Sequence, residues 1–535
     1  MAIPRWSPPQ APTRQEQFLL KRLERNRKLF GFLRLYRHEL LDDAFQAELE
    51  AMYRDTGAGL EPKPPALLAM VMLLQGYTGA SDADAVELSI VDLRWQLVLG
   101  CLGASEPAFS QGALFEFRQR MIRHDMDQRL LERTRELAHR TKGFDPHKLP
   151  KTLRVAVDSA PLEGAGRVED TINLLGHAAR KVVGCVSLLL GWDKERVCRE
   201  AGIPLLLESS VKAALDVQWS DPAEKTRALE LLVVQLDSLE DWLARRLPEE
   251  VERPPLRDPL ELLRQLRAQD LEPDPKGGGK TRIRRGTATD RRISVEDPDM
   301  RHGRKTKTKR FNGYKRHIAL DLDEGLILAC AVLPANRPEA EAVPRLRDDL
   351  ARQALAVDEL YIDRGYITSV LVDDVLRRRG EVICRPWVAR NRGRFTKADF
   401  TFNLRDRTVT CPAGQLEHFV PDHDVEFDRD RCASCLMRPQ CTANRTDGRS
   451  LQIAADELLQ ERLRRQAATP AGRTRLRGRT PIEHRLSHVV RKQGRRARYR
   501  GQRKNLFDLR RAATVVNLER VQLRNQLVPM EPKAA

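Results

Sequence analysis

Two aspartates in this sequence stand where apolar, β-type runs end. Asp158 closes the run LRVAVD, which passes into a Gly-containing turn, and Asp363 closes DELYID ahead of RGY. Single carboxylates at the C-terminal ends of strands are where open α/β sheets usually place their chemistry. A third acid, Glu483, lies inside the strongly basic stretch GRTPIEHRLSHVVRK. Taken alone it reads more readily as a salt-bridge partner than as a third metal ligand. Three carboxylates of this kind have a shared chemical rationale in the cleavage of phosphodiesters. That reaction needs an attacking oxygen activated, a leaving oxygen stabilised and dense negative charge neutralised. Two Mg²⁺ ions about 3.5–4 Å apart, held by hard oxygen ligands, do all three. With 76 acidic residues in the chain, spacing alone does not single out this triple.

A second constellation is made of sulfur. Cys411, Cys432, Cys435 and Cys441 read C-x20-C-x2-C-x5-C, with Pro412-Ala413-Gly414 forming a tight turn after the first thiol. A tetrahedral Cys₄ zinc site uses such a close pair plus more distant ligands, and four thiolates leave no open position, so its role is structural. Reduced surface thiols are the competing reading, and His418 or His423 could replace one Cys. Cys101, Cys185, Cys198, Cys330 and Cys384 sit in apolar settings that suit core positions.

The elements that must carry these groups change along the chain. From about residue 14 to 145 the pattern is helical, with apolar residues at spacings of three and four (Leu19, Leu20, Leu23; Leu67, Met70, Val71, Leu74). Gly76 and Gly79 break it, and Ser81 with Asp82 suits a cap for a helix from Ala83. Residues 113–122 form an amphipathic helix with Arg118, Arg120 and Arg123 outward, for solubility or for DNA contact. At Leu153 the pattern turns to strand. Leu-rich helices then run to about Ala268, and a polar, basic linker (DPKGGG onward) extends to about Lys309. Strands follow at 314–322 and 326–333, joined by Asp323-Glu324-Gly325, then a helix at 339–354. The segment 358–363, a helix at 369–378 and a strand at 381–384 complete an α/β domain with a central mixed sheet. Pro481 suits the first turn of a helix on which Glu483 shares a face with Leu486 and Val490 and points toward the protein body. Gly313-Tyr314-Lys315 with His317 opens one strand and places Lys315 against DNA, while Asn336 caps the following helix.

Charge points the same way. The formal net charge is +18, and it is clustered. Fifteen Lys or Arg and only two acids fall between Arg473 and Arg511; eight Lys or Arg and no acid fall between Arg301 and Arg316. Both runs are interleaved with Phe311, Tyr314, Tyr499 and Phe507, as on a folded surface that grips phosphates rather than a solvated tail. The expected DNA contacts are Arg310, Lys315, Arg316, Arg479, Arg491, Lys492, Arg495, Arg496, Arg498 and Arg500. The N-terminus lacks an apolar signal core. Apolar runs fall short of the roughly 20 residues a membrane helix needs. Nine scattered cysteines suit a reducing compartment, so the expectation is a cytoplasmic protein without a membrane partner.

Four segments together carry a resemblance: VAVDSAPLEGAGRVEDT, DPDMRHGRKTKTKRFNGYKRHIALDLDEGLILACAVLPAN, YIDRGY, and RTPIEHRLSHVVRKQGRRARYRGQRKNLFDLRRAATVVNLER. They resemble a DDE transposase of bacterial insertion sequences, closest to insertion-sequence family eleven-eighty-two within the broader four-and-five type transposases. PPALLAMVMLLQGYTGASDADAVELSIVDLRWQLVLG resembles the N-terminal domain common in those enzymes. The resemblance implies a ribonuclease-H-like core in which Asp158, Asp363 and Glu483 are the three catalytic, Mg²⁺-binding acids (Mn²⁺ being an alternative ion). Arg479, four before Glu483, matches the Arg of the related signature. The basic residue expected seven after the Glu is displaced: Val490 stands there, followed by Arg491 and Lys492. Also implied are Cys-bearing insertions before the third acid, binding to terminal inverted repeats and target DNA, and a homodimer assembled on DNA. The expected division is a helical N-terminal domain at 1–150 and core at 151–190. A helical insertion and linker at 191–300 precede core at 301–395, a Cys-bearing zinc-like insertion at 396–465, core at 466–525 and a tail at 526–535. A ribonuclease-H-like nuclease that cuts without joining, or an inactive DNA-binding derivative, would share this outline.

Overall fold

The computed structural model describes residues 3–53, 61–144, 150–208, 210–215, 217–275, 280–306, 308–387 and 390–527. Residues 276–279 of the expected linker and 528–535 of the expected tail lie outside the described residues.

A mixed sheet organises the molecule. Its strands are β1 (Arg154–Glu163), β2 (Arg301–Arg304), β3 (Arg310–Asp321), β4 (Ile327–Pro334), β5 (Glu359–Tyr361) and β6 (Glu381–Ile383). The order is β2-β3-β1-β5-β6, with β4 also paired to β3. β3 runs antiparallel to β1, β2 and β4, whereas β1, β5 and β6 are mutually parallel. Two sequence expectations change here. β1 does not end at Asp158: nine residues, Val155 through Glu163, pair with β3, so SAPLE is strand rather than turn. The first strand after the insertion starts earlier than expected, because Arg301–Arg304, within the basic linker, forms β2, and Thr281–Ile283 of the linker pairs with Leu271–Pro273 just ahead of it.

Side chains alternate across a strand, and both faces are covered. Val155, Val157, Leu360 and Ile362 pack with Leu346, Leu350, Val372, Val375 and Leu463 from helices Val343–Arg352, Val370–Arg377 and Glu457–Ala468. Ala156, Leu162, Ile318 and Tyr361 face the other way, onto Ile482, Leu486 and Val489 of helix Thr480–Gln493 and Leu509, Ala513 and Val516 of helix Gln502–Leu527. By the same alternation Asp158 and Asp363 belong to this second face. The helix expected at 339–354 is shorter: Glu339–Ala342 is a 3₁₀ turn, and the α-helix begins at Val343.

The N-terminal helices share their core with the rest. Pro65–Thr78 is buried along nearly its whole length, and Phe507, Val515, Leu518 and Val521 of the last helix join that cluster. Gly76, read as a break, lies within Pro65–Thr78; a β-carbon there would meet Val515 at 3.1 Å, so its smallness permits close helix packing. Gly79, at φ +86°, ends the helix in the left-handed conformation that glycine tolerates. Ser81 caps Asp82–Val91, its side chain bonding the Asp84 amide in a capping box. Arg118 is not outward: it is 5 % exposed and paired with Asp82.

Between β1 and β2 the chain passes through helices including Thr171–Leu190, Pro222–Arg246 and Arg257–Asp270, which bury Val182, Val186, Leu232, Leu236 and Leu263 among themselves. Thr171–Leu190 has the length and apolar character of a membrane span, longer than the sequence runs indicated, and half of its apolar window is buried in this cluster. Past β6, three short strands (Thr401–Asn403, Thr408–Thr410, Leu416–His418) and the pair Asp424–Glu426 with Ser450–Gln452 enclose a small aromatic core of Phe400, Phe402, Phe419 and Phe427.

Candidate active site

Parallel register brings the first two acids together. Ala156 pairs with Tyr361 at the last parallel position of β1 and β5. Asp158 and Asp363 each lie two residues beyond that pair, on the same face of strands about 4.8 Å apart. Asp158 accepts the amide of Ser159 at 2.8 Å. Asp363 accepts the amide of Arg364 at 2.8 Å, capping the short 3₁₀ turn Arg364–Tyr366. Beneath them Tyr366 is fully buried, its hydroxyl 2.7 Å from Nδ1 of the equally buried His317. Burial, then the Lys315 charge, pushes the His317 imidazole down to about 3, so it is neutral.

Glu483 reaches the same place from the covering helix. The buried face of Thr480–Gln493 is Ile482, Leu486, Val489 and Gln493. Glu483 therefore sits on the flank, its side chain 57 % exposed, rather than pointing inward with Leu486. Arg479, one turn earlier, places Nη2 3.1 Å from Glu483 Oε1 and Nη1 3.0 Å from Asp158 Oδ2. The second contact is an ion pair without aligned hydrogen-bond geometry. The Asp158 carboxyl is held above its ordinary range, chiefly by burial; Arg479 and the Ser159 amide oppose this, and Asp363 and Glu483 add to it. Three acids from separate stretches thus share one electrostatic field, with Arg479 as the cation between two of them.

The expected DNA contacts divide. Arg310, Arg491, Arg495, Arg496 and Arg498 are exposed. The strand-like segment 495–497 docks on the end of β1, with Glu163 N–H donating to Arg495 O and Ala497 N–H to Glu163 O. Arg500 is exposed but paired with Glu296 at 2.6 Å. Lys492 pairs with Glu519 at 2.7 Å and lies over the Tyr77 ring. Lys315 donates to the Arg337 carbonyl at 2.9 Å. Arg316 offers DNA nothing: it is fully buried, donating to Gln493 Oε1 and to the carbonyls of Pro161 and Gly494 at 2.9 Å each. Asn336 is not a helix cap, since its amide donates to Asp290. One acid escaped the sequence reading. Glu339, taken only as a helix start, accepts the Ser159 hydroxyl at 2.9 Å; Gly365 in the YIDRGY element was the available signal.

Cys411, Cys432, Cys435 and Cys441 line one cavity of about 490 Å³. The Gln415 amide donates to Cys411 Sγ at 3.3 Å across a turn in which Gly414 has φ +86°. Burial raises the Cys441 thiol, and the other three thiols add to the effect. His418 and His423 are outside this lining. Among the described residues no group of three or more His, Cys, Asp or Glu stands in a metal-holding arrangement. Both metal assignments therefore rest on donor chemistry and on which residues gather.

Residues 410–522 match the family model described as a transposase DDE domain, and residues 19–120 match the one described as a transposase domain (DUF772). The first match spans the four thiols, Arg479 and Glu483, and it stops short of Asp158 and Asp363. No curated protein and no solved structure matches the chain. A DDE domain implies a ribonuclease-H-like core, and the two matches together support a DDE transposase of the insertion-sequence type.

Proposed function

We propose that the chain is an insertion-sequence transposase, cytoplasmic and assembled as a homodimer on DNA, that cuts element ends and joins them to target DNA at Asp158, Asp363 and Glu483. The observation that supports this reading is the meeting of Asp158 and Glu483 at Arg479, with Asp363 at the position of the neighbouring parallel strand that matches Asp158. An oxygen-only donor set suits a hard divalent cation, and mutual repulsion among carboxylates is what such a cation relieves. Two Mg²⁺ ions, or Mn²⁺, bound there supply charge neutralisation and activate the attacking oxygen.

Both steps are phosphoryl transfers. In the first, water attacks phosphorus at an element end, the P–O3′ bond breaks and a 3′-hydroxyl is released. In the second, that hydroxyl attacks a target phosphodiester, a new P–O3′ bond forms and the displaced 3′-oxygen leaves with a proton. Asp158, within β1, and Asp363, just past the end of β5, form the floor of the site in this reading, and Glu483 closes it from the helix side. The exposed arginines at 491, 495, 496 and 498 suit phosphate contacts. The four-thiol segment suits one structural Zn²⁺, since the donors are soft and the cavity is shared.

The test uses a duplex carrying the DNA that flanks this coding sequence, with Mg²⁺ and a target plasmid. Cleavage at matched inverted repeats followed by covalent joining to the plasmid supports the reading. Cleavage without joining would make the protein a nuclease, and binding without either would make it an inactive derivative.

A further inference from the structure

Glu339 belongs to neither acid-bearing strand, yet its carboxylate touches both segments. One oxygen, Oε1, accepts the hydroxyl of Ser159, the residue after Asp158, at 2.9 Å. The other, Oε2, lies over Gly365, two residues after Asp363; a β-carbon at that position would meet it at 2.1 Å. Any side chain at 365 would displace the carboxylate, so the glycine admits it. The supply of this acid is local: Pro338 leads into the 3₁₀ turn Glu339–Ala342, which packs on the turn Arg364–Tyr366. Among the described residues Glu339 makes no salt bridge with Lys or Arg, so a surface ion pair does not explain its placement.

From this bridge we infer that Glu339 is a positioning residue, clamping the Asp158 and Asp363 segments at a fixed separation through Ser159 and the Gly365 backbone. The inference rests on the metal-dependent cleavage proposed above. The clamp acts through an acceptor oxygen rather than through charge, since Ser159 donates to it. A glutamine retains that acceptor; an alanine does not. Groups that orient metal ligands typically change metal affinity or activity about 10- to 100-fold when lost.

The experiment compares the full-length wild type with Glu339→Ala, Glu339→Gln, Ser159→Ala and the double variant Ser159→Ala/Glu339→Ala. Mn²⁺ binding is followed by electron paramagnetic resonance, DNA cleavage is measured against Mg²⁺ concentration, and thermal melts report folding. Expected are native-like melts, Mn²⁺ binding weakened about tenfold or more in Glu339→Ala, recovery of most of it in Glu339→Gln, and a double variant no worse than the worse single. Wild-type Mn²⁺ binding and cleavage that persist unchanged in Glu339→Ala overturn the clamp alone. So do additive single effects, or a Glu339→Gln variant as poor as Glu339→Ala, which would assign the role to charge. If Glu339→Ala fails to fold, the folded Ser159→Ala variant decides: unchanged Mn²⁺ affinity overturns the clamp. A wild type that neither binds Mn²⁺ nor cleaves overturns the underlying function, and the clamp with it.

Discussion

Arg479 stands 3.0 Å from Asp158, joining the covering helix to the sheet across more than 300 residues of sequence. The contact joins the helix Thr480–Gln493 to β1 at the point where the parallel neighbour β5 has ended. It also explains how Glu483, on an exposed flank, is drawn toward the strand acids. The arginine holds two carboxylates with two different nitrogens, a geometry that a lysine point charge cannot copy.

Replacing Arg479 should therefore impair the chemistry more than the grip on DNA. For Arg479→Ala the expected loss in cleavage rate is about 100-fold, the scale seen when one preorganised donor at a reacting site is removed. Arg479→Lys should recover only part of it, with DNA affinity changed far less. Single-turnover cleavage alongside equilibrium binding measures both; an unimpaired Arg479→Ala enzyme would contradict the bridging role.

A second ion cluster ties the N-terminal helix Met126–His139 to the helices Gln502–Leu527 and Val343–Arg352. Arg510, fully buried, contacts Asp125 at 2.7 Å, Asp127 at 3.1 Å and Asp349 at 2.9 Å, and both Asp127 and Asp349 are buried. Removing the shared cation leaves Asp127 only Arg503, and Asp349 only Arg345 and Arg352, all of them part-exposed, so the expected cost approaches the about 3–5 kcal/mol of breaking a buried pair. Arg510→Met should lower the urea unfolding free energy by that order. A loss below about 1 kcal/mol would mean the cluster relaxes by hydration.

Stability should also depend on pH through Asp321. Its buried carboxyl, which accepts the amides of Asp323 and Glu324, is raised to about 6 from 3.8, chiefly by burial. A raised folded-state value means the native state keeps its proton longer than the unfolded chain. The stabilisation is present in full below about pH 4 and is lost as pH rises through about 6, by at most about 3 kcal/mol. Asp321→Asn should flatten the slope of stability against pH between 4 and 7. A variant whose slope equals that of the wild type would assign it to other groups.

For the thiol cavity, the purified protein should carry about one zinc per chain, detectable by elemental analysis. Cys432→Ser with Cys435→Ser should abolish it and lower the melting temperature of the segment built on Phe400, Phe402 and Phe427. A zinc-free native protein would leave these cysteines as reduced thiols.

How much of this was legible in the sequence depended on whether partners were local. Asp158 and Asp363 could be picked out because apolar runs precede them. The true length of β1 could not, because its pairing with β3 reaches to Gly313, far along the chain. The same limit hid the fate of Arg316. A basic residue in a basic run reads as surface, yet Gln493 and the Gly494 carbonyl, distant in sequence, enclose it. Helical spacing marked Arg118 as outward because it carries no sign of Asp82 approaching from another helix. Glu339 was illegible for a related reason: its role depends on a glycine on a different strand's turn. The Ser81 cap and the alternation of strands and helices are local signals, and those the sequence did convey.

The central claim is that Asp158, Asp363 and Glu483 act as one metal-dependent site on DNA. Its most direct test is Mg²⁺-dependent cleavage of element-end DNA by Asp158→Asn, Asp363→Asn and Glu483→Gln, measured beside DNA binding by the same preparations. Each variant should bind DNA at near wild-type affinity and show no detectable cleavage. Substantial cleavage by any one of them would remove that residue from the site, and cleavage by all three would contradict the account.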